Sequence, residues 1–268
     1  MTVLPRPNRL KARLSAGHTA VGLSCALGSA QIAEEFAMAG FDFIYIDQQH
    51  GLTSQDTLIE MLRAIAASET TPLVRVAQND GALIGQALDA GAAGVIVPMI
   101  NTAEEAALAA RACRYHPQGE RSWGPIRARY GLGADPATVN REVLCLVMIE
   151  TVEALNNLED IITTPGIDGV YIGPADLGVS LGGQPLNIEH ASDPHHLRAI
   201  ARIRQTCLNN NKIVGITGDP EKLTADGFNL ITAALDFAII RKALDQIHRP
   251  TATAAAAQLI AQTEIVRT

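Results

Sequence analysis

The sequence lacks the features that would tie a chain to a membrane, to nucleic acid or to secretion. No apolar run reaches the roughly 18 to 20 residues that cross a bilayer, and the N-terminal stretch MTVLPRPNRLKARL contains neither an apolar signal core nor a cleavage site. The formal net charge is −7 and the basic residues are scattered, whereas nucleic acid or an anionic membrane needs a clustered basic face. We therefore expect a cytoplasmic protein with no nucleic-acid and no membrane partner.

Cysteine is also scarce. The four cysteines lie far apart, form no C-x-x-C pair and fall mostly inside apolar segments (Cys25, Cys113, Cys145 and Cys207). This spacing predicts buried free thiols and argues against a disulfide framework.

What the chain does contain is a regular alternation of strand and helix patterns. Short apolar runs predict eight strands, at Ala20–Leu27, Phe43–Asp47, Pro72–Val76, Gly94–Pro98, Leu144–Ile149, Gly169–Ile172, Ile213–Ile216 and Leu230–Thr232. Helical patterns separate them, as parallel strands covered on both faces require. Eight such units in 268 residues predict an α/β fold, a (β/α)8 TIM barrel over residues 1–249, with a doubly wound sheet as the competing fold.

Three segments fall outside this repeat. A short amphipathic helix at residues 8–16 is expected to cover one end of the barrel. The alanine-rich residues 250–268 are expected to form an extra C-terminal helix that docks on its own chain or on a neighbour's. The glycine- and arginine-rich segment 115–134 is expected to frame the barrel mouth or a subunit contact, because such long loops are usually functional.

Polar residues follow four of the predicted strands. Asp47 and His50 follow the second strand, Arg75 the third, Glu150 the fifth, and Asp176 lies just past the sixth. Active sites of (β/α)8 barrels lie at the carboxyl ends of the strands. These five residues are therefore expected to face one mouth.

Glu150 and Asp176 are the candidates for a metal site. Glu150 ends an apolar strand, where an unpaired charge would cost several kcal/mol, so a partner cation is implied. Two carboxylates without a suitably spaced His or Cys match a hard divalent ion, Mg2+ or Mn2+. The alternative is that Glu150 caps the helix beginning near Thr151 and Asp176 caps the turn before Leu177.

Other groups at this rim could serve a substrate. Arg75 suits a carboxylate or a developing oxyanion, and its alternative is a salt bridge to Asp47 or Asp89. His50 could move a proton or be merely structural. The turn before Asp176 opens a short helix whose N–H groups could hold a substrate carboxylate (Gly173, Pro174 and Ala175).

Longer stretches of the chain resemble the HpcH/HpaI aldolases, the metal-dependent (class II) pyruvate aldolases. The matching motifs, in the family's order, are FDFIYIDQQHG, PLVRVAQND, LDAGAAGVIVPMINTAEEA, YHPQGERSWGP, IETVEALNNL and GIDGVYIGPADLGVSLG. They lie within residues 20–240. The resemblance implies a barrel enzyme that makes or cleaves 4-hydroxy-2-oxoacids, using the enolate of pyruvate or hydroxypyruvate and an aldehyde.

The resemblance also implies roles for single residues. Glu150 of the IET motif and Asp176 of the GPADL motif would bind the divalent ion, Mg2+ or Mn2+, with Co2+ and Zn2+ as further candidates. Arg75 would steady the keto oxygen as it becomes an enolate, and His50 would work with Asp89 of the LDAGA motif in proton transfer. The family's C-terminal helix is exchanged between subunits, which implies a homohexamer built as a dimer of trimers.

One motif departs from the family. Many members have D-x-E-H after the second strand, whereas this chain has Asp47-Gln48-Gln49-His50. Asp47 and Gln49 are expected to interact with the metal ligands or with water bound to the metal. Because Gln49 stands where many members have a glutamate, one negative charge is missing near the metal. A Gln-His version resembles a hydroxy ketoacid aldolase subgroup that accepts pyruvate or hydroxypyruvate with varied aldehydes.

Three competing interpretations remain at this point. A citrate lyase-like or acyl-CoA lyase on the same barrel would need a basic surface that binds the phosphates of CoA. Three arginines of the loop could be mistaken for such a surface (Arg121, Arg127 and Arg129). A catalytically silent ligand-binding barrel has only Gln49 in its favour. A Schiff-base aldolase needs a lysine at a strand end, and none of the four lysines is predicted there (Lys11, Lys212, Lys222 and Lys242).

Overall fold

The computed structural model describes residues 6–248, which form a closed barrel of eight parallel strands. The strands are β1 (Ala20–Cys25), β2 (Phe43–Asp47), β3 (Thr71–Arg75), β4 (Gly94–Val97), β5 (Leu144–Ile149), β6 (Gly169–Ile172), β7 (Ile213–Thr217) and β8 (Leu230–Leu235). Each strand pairs with the next in sequence, and β8 closes the ring on β1. The predicted (β/α)8 barrel is confirmed.

Helices connect the strands on the outside. They are α1 (Arg9–Ser15), α2 (Ala30–Met38), α3 (Gln55–Ile65), α4 (Gly81–Ala90), α5 (Ala103–Cys113), α6 (Pro136–Glu142), α7 (Val152–Asn156), α8 (Leu158–Thr163), α9 (Pro174–Ser180), α10 (Pro194–Asn209), α11 (Pro220–Ala225) and α12 (residues 236–248). Many begin at a side-chain cap, as Thr102 accepts from the N–H of Glu105 at 3.2 Å at the start of α5.

The core has two layers. One lies between the strands and the surrounding helices, and the other fills the barrel interior with side chains such as Phe43, Leu73 and Met148. Leu10 of α1 belongs to the interior layer and is 1% exposed. Helix α1 therefore covers the amino end of the barrel, as predicted.

Towards the carboxyl ends of the strands, the interior becomes polar. The hydroxyl of Tyr171 forms hydrogen bonds of 2.8 Å with both Thr217 and Thr232. Its ring packs edge-on against Tyr45, with ring centroids 5.8 Å apart. This polar layer is the floor beneath the rim residues described below.

Two further predictions can be compared with the structure. All four cysteines are buried and free, as expected. The predicted C-terminal helix at residues 250–268 lies outside the described residues. Within residues 6–248, no helix is both long and apolar enough to cross a membrane.

Candidate active site

A buried ion pair joins the carboxyl ends of β2 and β3. Asp47 and Arg75 are register partners, and the guanidinium donates from Nε at 2.9 Å and from Nη2 at 2.6 Å to the two carboxylate oxygens. Nη1 is left pointing towards Met148 Sδ, 3.9 Å away in the barrel interior. The salt bridge considered as an alternative role for Arg75 is therefore present, and it also fixes the plane of the guanidinium.

This pair keeps Arg75 charged inside the protein. Burial alone would lower the pKa of Arg75, but the hydrogen bonds and charge of Asp47 outweigh burial and hold that pKa above its ordinary range. A permanently charged donor thus faces the barrel interior.

Asp47 also organises the loop that carries His50. Its Oδ1 accepts hydrogen bonds from the backbone N–H of Gln49 at 3.0 Å and of His50 at 3.3 Å. The side chain of His50 is exposed at the rim. The Oε1 atom of Gln49 is buried and has no hydrogen-bond partner among the described residues. One carboxylate therefore holds both Arg75 and the segment carrying His50.

Glu150 follows β5 and is 1% exposed. Its Oε1 accepts a 2.7 Å hydrogen bond from the N–H of Met99, whereas Oε2 is buried without a hydrogen-bond partner in the described chain. Burial raises the pKa of Glu150, and the negative charge of Asp176 raises that pKa further. The hydrogen bond from the Met99 N–H and the positive charge of Arg75 lower it. These effects bring Glu150, Asp176 and Arg75 into one electrostatic group.

Neither carboxylate acts as a helix cap. Thr151 caps α7, accepting from the N–H of Ala154 at 3.0 Å. Asp176 lies exposed in the first turn of α9, whose N-cap position is Gly173 without a side-chain hydrogen bond. The capping interpretation is therefore wrong for both residues.

The two carboxylates fit a divalent ion. An ionised carboxylate oxygen buried without a partner is unfavourable, and a cation between Glu150 and Asp176 would satisfy it. The donor set is all oxygen, which suits a hard ion whose remaining positions are filled by water or substrate. No cluster of three or more His, Cys, Asp or Glu suited to a metal occurs within residues 6–248, so the protein would fill only part of the coordination sphere.

The turn before Asp176 offers fewer donors than the sequence suggested. The N–H of Gly173 donates to Ile149 O at 3.4 Å, and Pro174 has no N–H. Ala175 is therefore the first of the three predicted residues whose N–H is free of these constraints. An N–H in the first turn of a helix has no acceptor within the helix.

Asp89 does not lie at the mouth of its own barrel. It is the penultimate residue of α4, which returns to the amino end of β4, and its Oδ1 accepts a 2.5 Å hydrogen bond from Arg121. His50, by contrast, follows the carboxyl end of β2. The predicted pairing of His50 with Asp89 is consequently not formed within one chain.

The arginine-rich segment 115–134 also lies at the amino end of the barrel, near Asp89. Arg127 donates from Nε to Ala90 O at 3.0 Å, and Arg6, beside the amino-end helix α1, donates its N–H to Gly131 O at 2.8 Å. The segment therefore packs around the amino end of the barrel. It does not frame the mouth of its own barrel, and the expected subunit contact stays a prediction.

No lysine of the described residues ends a strand. Lys11 pairs with Asp168 at 2.9 Å and Lys212 donates to Ile167 O at 2.6 Å, both at the amino end of the barrel. Lys222 and Lys242 lie on helices α11 and α12. The Schiff-base interpretation therefore has no suitably placed amine in this part of the chain.

Sequence reasoning missed Met99 as part of the site. Met99 has a left-handed backbone, with φ at 56°, and its N–H binds Glu150. No residue-type signal marks it, because left-handed conformations are rare for side chains of this kind.

Comparison with known proteins identifies the family of this chain. The family model described as HpcH/HpaI aldolase/citrate lyase matches residues 21–243. The chain belongs to the HpcH/HpaI aldolase/citrate lyase family.

Relatives in this family are similar over most of their length. The hydroxypyruvate/pyruvate aldolase of Rhizorhabdus wittichii is 41% identical over 221 residues, covering 80% of this chain and 87% of that protein. The 4-hydroxy-2-oxo-heptane-1,7-dioate aldolase of Klebsiella pneumoniae is 42% identical over 200 residues, 73% of each chain. A crystal structure of a family protein from Burkholderia cenocepacia has a TM-score of 0.82 and 32% identity, covering 91% of this chain and 99% of the other.

Membership confirms the class of enzyme. The relatives from Rhizorhabdus wittichii and Klebsiella pneumoniae are named aldolases, which are carbon–carbon lyases, and the family generally depends on a divalent metal. The predicted family and class are thus confirmed.

Proposed function

We propose that this HpcH/HpaI family member is a class II aldolase that makes or cleaves 4-hydroxy-2-oxoacids. Its small-molecule partners would be a 2-oxoacid, pyruvate or hydroxypyruvate, and an aldehyde. The observation that carries the proposal is the buried Oε2 of Glu150, which has no hydrogen-bond partner within residues 6–248 and interacts electrostatically with Asp176 and Arg75. Glu150, Asp176 and Arg75 together suit a substrate whose oxygen atoms bind a cation and which develops negative charge during the reaction.

The oxygen donors of Glu150 and Asp176 favour Mg2+ or Mn2+ over Co2+ or Zn2+. When bound there, such an ion would supply Lewis-acid stabilisation to an oxygen on which negative charge develops. Glu150 and Asp176 would hold it through their carboxylate oxygens, and substrate oxygens would supply further ligands.

Arg75 would stabilise the same developing charge. Abstracting a proton from a methyl group next to a keto group is difficult near neutral pH unless the resulting enolate is stabilised. Nη1 is the part of the guanidinium outside the Asp47 pair, and it already points into the barrel. Asp47 therefore preorganises a donor that needs no rearrangement during the reaction.

The remaining roles concern the substrate carboxylate and the proton. The N–H of Ala175, in the first turn of α9, suits the carboxylate, and the exposed imidazole of His50 suits proton transfer because its ring nitrogens can accept and donate a proton. Asp89 lies at the opposite end of its own barrel, so its assistance to His50 requires a second copy of the chain. We accordingly retain a homo-oligomer, a hexamer built as a dimer of trimers, as part of the proposal.

The competing functions have less support. Arg121 and Arg127, the candidates for CoA phosphates, contact residues at the amino end of the barrel. The catalytically silent barrel is disfavoured because Glu150, Asp176 and Arg75 still form a charged group at one rim. Gln49 changes one charge without removing any of these residues.

Proton exchange at the methyl group of pyruvate tests the proposal without an aldehyde. In D2O with Mg2+ or Mn2+, the pyruvate methyl NMR signal should disappear in the presence of enzyme, and a chelator should stop the loss. The variant Arg111→Ala, which removes an exposed ion pair with Glu120, should exchange like wild type. Absence of exchange with every divalent ion would contradict the proposal.

A further inference from the structure

The backbone at Met99 is unusual for its residue type. Its φ of 56° is left-handed, and Asn211 is the other non-glycine residue with positive φ in the part of the chain that is described. A left-handed backbone is unfavourable for a residue with a Cβ atom, because the Cβ crowds the neighbouring carbonyl oxygen. Surrounding interactions must hold Met99 in this conformation, and such residues cluster at functional sites.

The left-handed turn brings one backbone donor to Glu150. Met99 follows β4, and its N–H donates to Glu150 Oε1 at 2.7 Å. That bond occupies one carboxylate oxygen and leaves Oε2 without a partner among the described residues. The conformation of Met99 thus decides which oxygen of Glu150 remains available.

Asn101 holds this turn from behind. Its Nδ2 donates to Met99 O at 3.3 Å, and its Oδ1 accepts from the hydroxyl of Thr151, the residue after Glu150. Its own N–H donates to Glu105 Oε2 at 2.6 Å, and Asn157 Nδ2 donates to Asn101 O at 2.8 Å. The turn is therefore tied both to α5 and to the segment that carries Glu150.

The opposite side of Glu150 is closed by Gly173. A Cβ atom at Gly173 would overlap Glu150 Oε2 and would stand 2.9 Å from Glu150 Cβ. The carboxylate is consequently fixed between a donor after β4 and a bare backbone after β6. It has little freedom to rotate and present both oxygens together.

We propose that Met99 and Asn101 are positioning residues that make Glu150 present a single oxygen, Oε2, to the divalent ion. This inference rests on the metal site of the proposed function. The left-handed turn would thereby set the geometry and the affinity of that site.

Direct Mn2+ titration of the full chain, followed by electron paramagnetic resonance, tests the inference without turnover. Met99→Val keeps the N–H but disfavours positive φ, so its Mn2+ affinity should fall about tenfold or more, as for other residues that orient metal ligands. Met99→Gly keeps the N–H and tolerates positive φ, so it should bind Mn2+ within about twofold of wild type.

Asn211→Val is the matched control, because it strains a left-handed residue between α10 and β7, at the amino end of the barrel. It should lower the unfolding temperature and leave Mn2+ affinity unchanged. Wild-type Mn2+ affinity in folded Met99→Val would overturn the inference. Equal losses of affinity in Met99→Val and Asn211→Val would overturn it as well, since strain alone would then explain the effect.

Two more variants keep the test decisive. If Met99→Val does not fold, Asn101→Ala removes the support of the turn and should weaken Mn2+ binding several-fold; unchanged binding would overturn the inference. Glu150→Gln should lose Mn2+ binding in either case. Wild-type binding by Glu150→Gln would contradict the metal site itself, which distinguishes that failure from a failure of the positioning role.

Discussion

Among single residues, Glu150 is a buried carboxylate whose charge affects the stability of the folded protein. Burial raises the pKa of Glu150 above its ordinary value of 4.5, and the charge of Asp176 raises it further, against the Met99 N–H and Arg75. Ionised Glu150 therefore destabilises the folded protein unless a cation is bound. The same carboxylate that would hold the ion therefore makes the metal-free protein less stable.

Stability in chelator should reveal this effect. Between pH 4.5 and the raised pKa, the folded state binds more protons at Glu150 than the unfolded state does, so the free energy of unfolding should fall as pH rises through that window. Glu150→Gln should lose this fall and should also lose the stabilisation by added Mn2+. Urea unfolding from pH 4 to 8 measures both effects, and parallel pH curves for the two proteins would contradict the prediction.

Arg75 makes a different residue-scale prediction. Arg75→Ala removes a donor to developing negative charge but no metal ligand, so turnover should fall about 100-fold or more while Mn2+ still binds. Steady-state kinetics together with Mn2+ titration measure the two effects. Arg111→Ala again serves as the exposed control. Wild-type turnover in Arg75→Ala would remove Arg75 from the mechanism.

At the scale of elements, the strands were predictable where they are buried on both faces. β2, β5 and β6 have the predicted bounds because continuous apolar runs specify them. β8 continues to Leu235, past the predicted end at Thr232, because its last residues pair with β1. Strand ends that depend on a neighbouring strand are not encoded in local periodicity.

Only part of the candidate site was predictable from the sequence. Glu150, Arg75 and Asp47 could be found because each ends a strand, and strand direction brings such ends to one rim. The position of Asp89 also follows from direction, since a helix after β3 must return to the amino end of the barrel. The LDAGA motif implies a role for Asp89 but does not indicate at which end of the barrel it lies. The turn at Met99 depends on contacts from α5 and β5 and had no local signal.

Gly173 provides the element-scale prediction. Ala at this position would push its Cβ against Glu150 at the junction of β6 and α9, so Gly173→Ala should lose Mn2+ affinity about tenfold or more. Gly85→Ala is the matched control, because a Cβ on that residue of α4 meets nothing within 4 Å. Mn2+ titration with thermal unfolding distinguishes the two variants. Equal Mn2+ affinity in both would contradict the role given to Gly173.

At the scale of the whole molecule, the two barrel ends carry different parts of the proposed chemistry. The mouth holds Glu150, Arg75 and His50, and the amino end holds Asp89 paired with Arg121. A reaction that uses both His50 and Asp89 must therefore combine two copies of the chain.

Mixing inactive variants should expose this combination. His50→Ala and Asp89→Ala should each have low activity alone, and co-assembly should restore part of it, because some shared sites then receive both intact residues. Activity measured after joint refolding, with each variant refolded alone as the control, tests the prediction. No recovery in mixed oligomers would refute sharing of the site between copies.

The most direct test of the central claim is cleavage of a 4-hydroxy-2-oxoacid measured with and without a chelator. We predict that the enzyme releases a 2-oxoacid and an aldehyde, that chelation abolishes turnover, and that Mg2+ or Mn2+ restores it. Restoration should fail in Glu150→Gln. Turnover that persists unchanged in chelator would contradict the assignment of a metal-dependent aldolase site to Glu150 and Asp176.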